Sequence, residues 1–151
     1  MKLTRKEIKD MVALDALCFD PPINYVFRDL AIYTGVKNAV LIREYEGERL
    51  IAFCLGDADS GNIITIDVHP DFRRRGLGRK LLKTILDEFK SRKTSFAISQ
   101  IALDNLPSIK LHQDFGFEIR QILHEYYADG KSAYELVLPL NPPAGKKIRH
   151  R

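Results

Sequence analysis

Arg73, Arg74 and Arg75 stand directly before Gly76-Leu77-Gly78 in the stretch VHPDFRRRGLGRKLL, residues 68–82, at the mouth of an apolar helical pattern. Adjacent guanidinium groups repel one another, and glycine is a poor helix former. A helix N-terminus, however, offers free N–H groups and roughly half a positive charge. Glycines at that point let an anion approach the backbone without side-chain obstruction. The residue types and their spacing suit a pyrophosphate. The competing reading is an exposed basic helix start with a fortuitous Gly-x-Gly. The P-loop pattern, Gly-x-x-x-x-Gly-Lys and then Ser or Thr, is absent, and the dinucleotide pattern GxGxxG fails at Leu81.

Other reactive side chains are sparse. Cys18 and Cys54 lie 36 residues apart without a CxxC pattern, and Cys54 sits in the apolar run LIAFCLG, where it reads as a small buried hydrophobe. The four histidines are scattered. Neither a disulfide nor a metal site is expected.

The elements that must position the arginine-glycine stretch follow from periodicity. Ile8, Met11, Val12, Leu14, Ala16, Leu17 and Phe19 form an apolar helical stripe over residues 4–19, stopped by Pro21-Pro22. Residues 24–34 read as a second short helix. AVLIREYE and RLIAFCLGD are two strands around Glu46-Gly47-Glu48, and NIITIDVHP is a third, halted by Pro70. Leu77, Leu81, Leu82, Ile85, Leu86 and Phe89 carry a helix from Gly76 to about Lys90. SFAISQIAL is a further strand, and a short helix runs from Leu106 to about Phe115. Two last strands, about 117–127 and 133–140, flank Ala128-Asp129-Gly130-Lys131. This is a mixed α/β chain with hairpins at both ends and a β-α-β crossover between them.

At 151 residues, 45% hydrophobic and 29% charged, one ordinary globular domain over residues 1–140 is expected. No run reaches the roughly 18–20 apolar residues of a membrane span. MKLTRKEIKDMV lacks the apolar core of a signal peptide, so a cytoplasmic location is the default. The net charge of +4 resides in the tail, residues 141–151, where Lys146, Lys147, Arg149 and Arg151 face no acid. The tail reads as a basic, flexible end and the body as neutral, which argues against a nucleic-acid groove.

In context the stretch resembles a known motif. A strand ending in Val68-x-Pro70, then Arg73-x-x-Gly76-x-Gly78, then an apolar helix, is similar to the acetyl-CoA-binding motif of the GNAT superfamily of N-acetyltransferases. Asn105-x-x-Ser108-x-x-Leu111-His112-x-x-x-Gly116-Phe117 resembles that superfamily's Asn-x-x-Ala-x-x-Leu-Tyr-x-x-x-Gly-Phe, at the expected distance. Tyr126-Tyr127 and Gly130-x-x-Ala133 resemble the branch that includes ribosomal-protein alanine N-acetyltransferases. The resemblance covers residues 38–140. It implies a GNAT fold: a mixed central sheet of about six to seven strands with splayed central strands, flanked by about four helices.

It also implies a division of labour. Ile66, Asp67 and Val68 would be backbone partners of pantetheine. Arg73, Arg74, Arg75, Gly76, Leu77, Gly78, Arg79 and Lys80 would hold the pyrophosphate, mostly through backbone amides, and Asn105 and Ser108 would approach from the next helix. The Val68 N–H, at a strand bulge, would serve the oxyanion. Transfer of acetyl to an amine needs that donor, a deprotonated amine and a proton for the departing thiolate.

His112 stands where the family commonly has a tyrosine acid; the alternative is a histidine that merely packs. Gln100 and Asn62 occupy two positions from which relatives draw a base, and neither can accept a proton at neutral pH, though both can orient water. Asp67 is ionisable, and the competing reading is that strand alternation turns it away as a polar contact at the strand bulge; water is the other route. Tyr25, within residues 19–25, and Tyr126 and Tyr127 would line the acceptor channel.

The implied activity is acetyl-CoA-dependent acetylation of a primary amine by direct attack in a ternary complex. The acceptor would be a peptide or protein N-terminus, in a monomer or homodimer without metal or membrane. A small amine such as a polyamine or amino acid is the alternative acceptor. A non-catalytic acyl-CoA-binding module is the alternative class, and a nucleic-acid binder ranks last.

Overall fold

Residues 2–141 are described by the computed structural model of this chain. The tail cations Lys146, Lys147, Arg149 and Arg151 lie outside the described residues, as does the expected flexible end beyond Asn141.

Helix α1, Arg5–Cys18, begins at Thr4, whose hydroxyl accepts the Glu7 N–H while the Glu7 carboxylate accepts the Thr4 N–H. This reciprocal box satisfies two otherwise free donors. The buried side of α1 is Ile8, Met11, Leu14 and Asp15, whereas Leu17 is 56% exposed. The expected stripe is corrected at Ala16 and Leu17, both exposed. Residues 8, 11, 15 and 18 share one helical line, so packing against the sheet takes an aspartate inward and leaves a leucine out. Helix α2, Phe27–Gly35, buries Leu30 and Thr34, the latter bonding the Leu30 carbonyl at 2.7 Å.

Strands β1, Ala39–Glu46, and β2, Arg49–Asp57, form a hairpin whose turn holds Gly47 at φ 59°, a left-handed conformation suited to glycine. β3, Asn62–Val68, runs antiparallel to β2. A 3-10 turn, Pro70–Phe72, leads into α3, Leu77–Ser91. The chain then returns through β4, Phe96–Ala102, parallel to β3. α4, Leu106–Asp114, and the antiparallel pair β5, Glu118–Leu123, and β6, Ala133–Pro139, complete it.

The sheet order is β1-β2-β3-β4-β6-β5. One core lies under α3 and α4, built on Leu81, Leu82, Ile85, Phe89 and Leu136 and including the fully buried Cys54. A second lies under α1 and α2, with Met11, Leu30, Phe53 and Leu55. Among the described residues, six strands, four helices and a divided centre match the expected architecture. One boundary is corrected: β5 ends at Leu123, and Glu125 at φ 50° turns the chain into a loop. Tyr126 and Tyr127 therefore sit in a loop and not on a strand. No helix among the described residues is long and apolar enough to cross a membrane.

Candidate active site

The site begins where the sheet divides. β3 and β4 pair only through Asn62 with Ile98 and Ile63 with Ser99, after which the strands part. On the other flank of β3, Leu55 pairs with Thr65 and Gly56 with Ile63, leaving Ile64 as an extra residue. The bulge is thus at Ile64, not at Val68 as expected. It resets the phase of the strand. Beyond it, the His69 N–H donates to the Ile51 carbonyl at 2.8 Å, while Val68 lies opposite Ala52 and Asp67 opposite Phe53. In such an antiparallel ladder the N–H and C=O of Asp67 turn toward β2, and those of Ile66 and Val68 turn away, into the gap left by β4. Of the three expected pantetheine partners, Ile66 and Val68 present backbone to the gap; Asp67 does not.

At one end of the gap stands the start of α3. Gly76, at φ 79°, precedes the helix without a side-chain cap, and the first turn holds no acid. The first-turn N–H groups, from Leu77 through Arg79, are therefore free for an anion. A Cβ on Gly76 would meet open space, and one on Gly78 would touch Leu111 of α4 at 3.4 Å. The cations are less available than their number suggests. Arg73 Nε donates to the Val68 carbonyl at 3.1 Å, and Arg75 lies 5.0 Å over the Phe72 ring. Arg79 pairs with Asp114 at 3.0 Å, and Lys80 with Glu44 at 2.8 Å. Arg74 takes a left-handed backbone, φ 64°. The arrangement fits a polyphosphate gripped chiefly by backbone, with these side chains forming its rim.

Helix α4 flanks the same gap. Asn105 is its cap, Oδ1 accepting the Ser108 N–H at 3.3 Å, and Ser108 is half-buried. His112 is 2% exposed. Its Nδ1 lies 2.8 Å from the Ser108 carbonyl and its Nε2 3.0 Å from the Ser99 hydroxyl. Only one neutral tautomer serves both partners: Nδ1–H donates to the carbonyl and Nε2 accepts from the hydroxyl. Burial holds the ring below the usual histidine range, against the smaller opposing pull of that carbonyl. The ring also packs edge-on against Phe117 at 4.9 Å. This geometry gives His112 a place in the core and opposes the expected acid role, because its one N–H is committed.

On the opposite face of the sheet, Asn62 and Gln100 stand on either side of the divide. Asn62 Oδ1 is buried with no hydrogen-bond partner among the described residues. Gln100 lies directly across from Glu135 of β6. Glu135 also receives Arg120 at 2.7 Å and Gln121 at 2.6 Å. Hydrogen bonding from Gln121, with that of Arg120, holds its carboxyl below the usual range. Sequence reasoning missed Glu135, and the only signal for it was its place opposite Gln100 once the strands were aligned.

Tyr25 donates its hydroxyl to the Ile64 carbonyl at 3.3 Å, and its ring meets Tyr33 edge-on at 5.7 Å. Tyr126 and Tyr127 pack edge-on at 5.0 Å, and burial pushes the Tyr127 phenol up to about 12. Asp67 is fully buried on the α1 side, where Oδ1 accepts from the Thr65 hydroxyl. Its hydrogen bond goes to Thr65, and none runs from it to Gln100, Tyr126 or Tyr127. Asp15, also fully buried, was missed as well.

Residues 9–117 match the model of the acetyltransferase (GNAT) family. The ribosomal protein bS18-alanine N-acetyltransferase of Salmonella typhimurium is 30% identical over 97 residues, 63% of this chain and 66% of that protein. An N-alpha-acetyltransferase of Sulfolobus acidocaldarius is 36% identical over 84 residues, 53% of this chain and 48% of that protein. The chain thus spans from 48% to 70% of the length of these and similar curated relatives. Among solved structures, the ribosomal-protein-S18-alanine N-acetyltransferase of Escherichia coli superposes with TM-score 0.82 at 21% identity, covering 99% of this chain and 97% of that one. This likeness shows the fold.

Proposed function

The chain belongs to the acetyltransferase (GNAT) family, and from that premise we propose that it is an acetyl-CoA-dependent N-acetyltransferase acting on a peptide or protein N-terminal amine. The observation that carries the reading is the gap beside β3. Backbone groups of Ile66 and Val68 face it, and the uncapped start of α3, with its free N–H groups, closes one end. An extended pantetheine arm fits the first feature and a pyrophosphate the second.

Acetyl-CoA would supply the thioester; the chain's residues bind and orient. The Val68 N–H is the donor placed for the developing oxyanion. Asn62 and Gln100 hold water on the acceptor's face of the sheet. Tyr25, Tyr126 and Tyr127 wall the channel. With His112 in the core, the proton reaching the sulfur comes from water. The N-terminal acceptor is supported by the kind of relative matched and by this tyrosine-walled channel.

Calorimetry with acetyl-CoA on wild type and Gly78→Glu tests the cofactor site, since the glutamate sets a bulky anion at the free N–H groups. Loss of binding with the fold retained is expected; unchanged affinity moves the site elsewhere. Thiol release across N-terminal peptides, lysine and polyamines then tests the acceptor. Binding without turnover on any of them would identify a non-catalytic module.

A further inference from the structure

The acetylation reading assigns nothing to Asp15 and Asp67, yet both are 0% exposed. Asp15 projects from α1 and Asp67 from β3, and the two carboxyls face each other where helix and strand meet. Asp15 Oδ2 accepts the Tyr25 N–H at 2.6 Å, and Asp67 Oδ1 accepts from the Thr65 hydroxyl. Among the described residues, nothing donates to Asp15 Oδ1 or Asp67 Oδ2, and both are buried. Two carboxylate oxygens in contact repel, and a buried pair cannot ionise fully; a proton between them makes the contact a strong O–H···O⁻ bond.

Few groups face the pair. From α1 there is Cys18, whose thiol burial pushes up to about 11. From the loop after α1 there is Tyr25, raised by burial, and from β2 Cys54, raised by burial. The cation nearby is Arg73, from the turn after β3, and it donates Nε to the Val68 carbonyl and not to the orphan oxygens. None of these supplies the missing donor.

We propose that Asp15 and Asp67 hold one proton between them and act as a positioning pair that clamps the acceptor wall at Tyr25 to the cofactor strand at Val68. Asp67 immediately precedes Val68, and Asp15 anchors the Tyr25 backbone, whose hydroxyl returns to β3 at Ile64. The wall and the strand are thereby joined by two routes, one through Asp15 and Asp67 and one from the Tyr25 hydroxyl to Ile64. Losing the shared proton sets two anions against each other and parts them.

The test is denaturant unfolding against pH for wild type and Asp67→Asn. An asparagine here still accepts from Thr65 and donates its amide to Asp15, so it keeps the clamp without the proton. Unfolded carboxyls release their protons near pH ~4, whereas the folded pair keeps one. Wild-type stability therefore falls as pH rises above that point, until the folded pair itself ionises. The wild-type unfolding constant should climb by up to about tenfold per pH unit relative to Asp67→Asn. Parallel curves, or a difference of two protons, overturn the proposal. This arm needs no activity.

A second arm rests on the proposed function. Asp15→Ala should raise the acceptor KM about tenfold while kcat and calorimetric acetyl-CoA affinity stay within about twofold. Asp15→Asn, whose amide oxygen still accepts from Tyr25, should restore KM. An unchanged KM in Asp15→Ala overturns the positioning role. Where no acceptor turns over, amide exchange at Tyr25 replaces KM: faster exchange in Asp15→Ala than in Asp15→Asn supports the clamp, and equal rates overturn it. Asp67→Asn carries the test if Asp15→Ala does not fold.

Discussion

His112 occupies the helix position where the resemblance implies a proton donor, but Ser108 and Ser99 engage both of its ring nitrogens. His112→Phe should accordingly keep kcat within about threefold, against the loss of about 10²–10⁴ that a general acid would show. It should cost about 1–3 kcal/mol of stability, because the Ser99 hydroxyl is left buried without its acceptor. The folded ring resists protonation while the unfolded one gains a proton near pH ~6.5, so acid favours unfolding. Wild type should lose stability as pH falls below that value, and His112→Phe should lack this component in acid unfolding curves. The sequence shows which residue fills the motif position but not the serine facing it, since that depends on which side of β4 turns inward. Asp15 was hidden for a related reason: periodicity counts apolar residues, and a buried aspartate is legible only through its partner on another element.

At the scale of elements, the strand and helix types were readable because each run keeps one period. The divide at the centre of the sheet was not. IITI, residues 63–66, is uniformly β-favouring and carries no mark of the bulge at Ile64. The junction rests on Gly61, at φ 76°, whose carbonyl accepts the Ile98 N–H at 2.8 Å. A Cβ there would fall 1.7 Å from the Phe96 carbonyl oxygen, a clash of backbone that no rotamer relieves. Gly61→Ala should destabilise by about 3 kcal/mol or more, lowering Tm by about 6–12 °C. A melt within about 2 °C of wild type would show that the junction yields more easily than this geometry implies. The end of β5 was equally hidden, because residues 124–127 carry no breaker and the turn is set by Glu125 at positive φ.

Across the whole molecule, the two cores lie on opposite faces of the sheet, and the proposed cofactor and acceptor approach from opposite sides of the divide. That separation matters for the reaction's pH dependence, because the ionisable groups are committed elsewhere. Asp67 is tied to Asp15, His112 to the core, and Glu135 is held ionised by Gln121 and Arg120. All three are thus engaged by other residues of the chain, and none of them is expected to take the proton of the acceptor ammonium. The basic limb of kcat/KM, which reports free enzyme and free substrate, should therefore climb toward the acceptor amine's own pKa. It should lie at about 8 for an α-amino group and near about 10.4 for a lysine side chain. Glu135→Gln and Asp67→Asn should leave the limb in place. A limb that stays fixed as the acceptor changes, and disappears in one of these variants, would identify that carboxylate as the base and show that its proton is more accessible than its hydrogen bonds indicate.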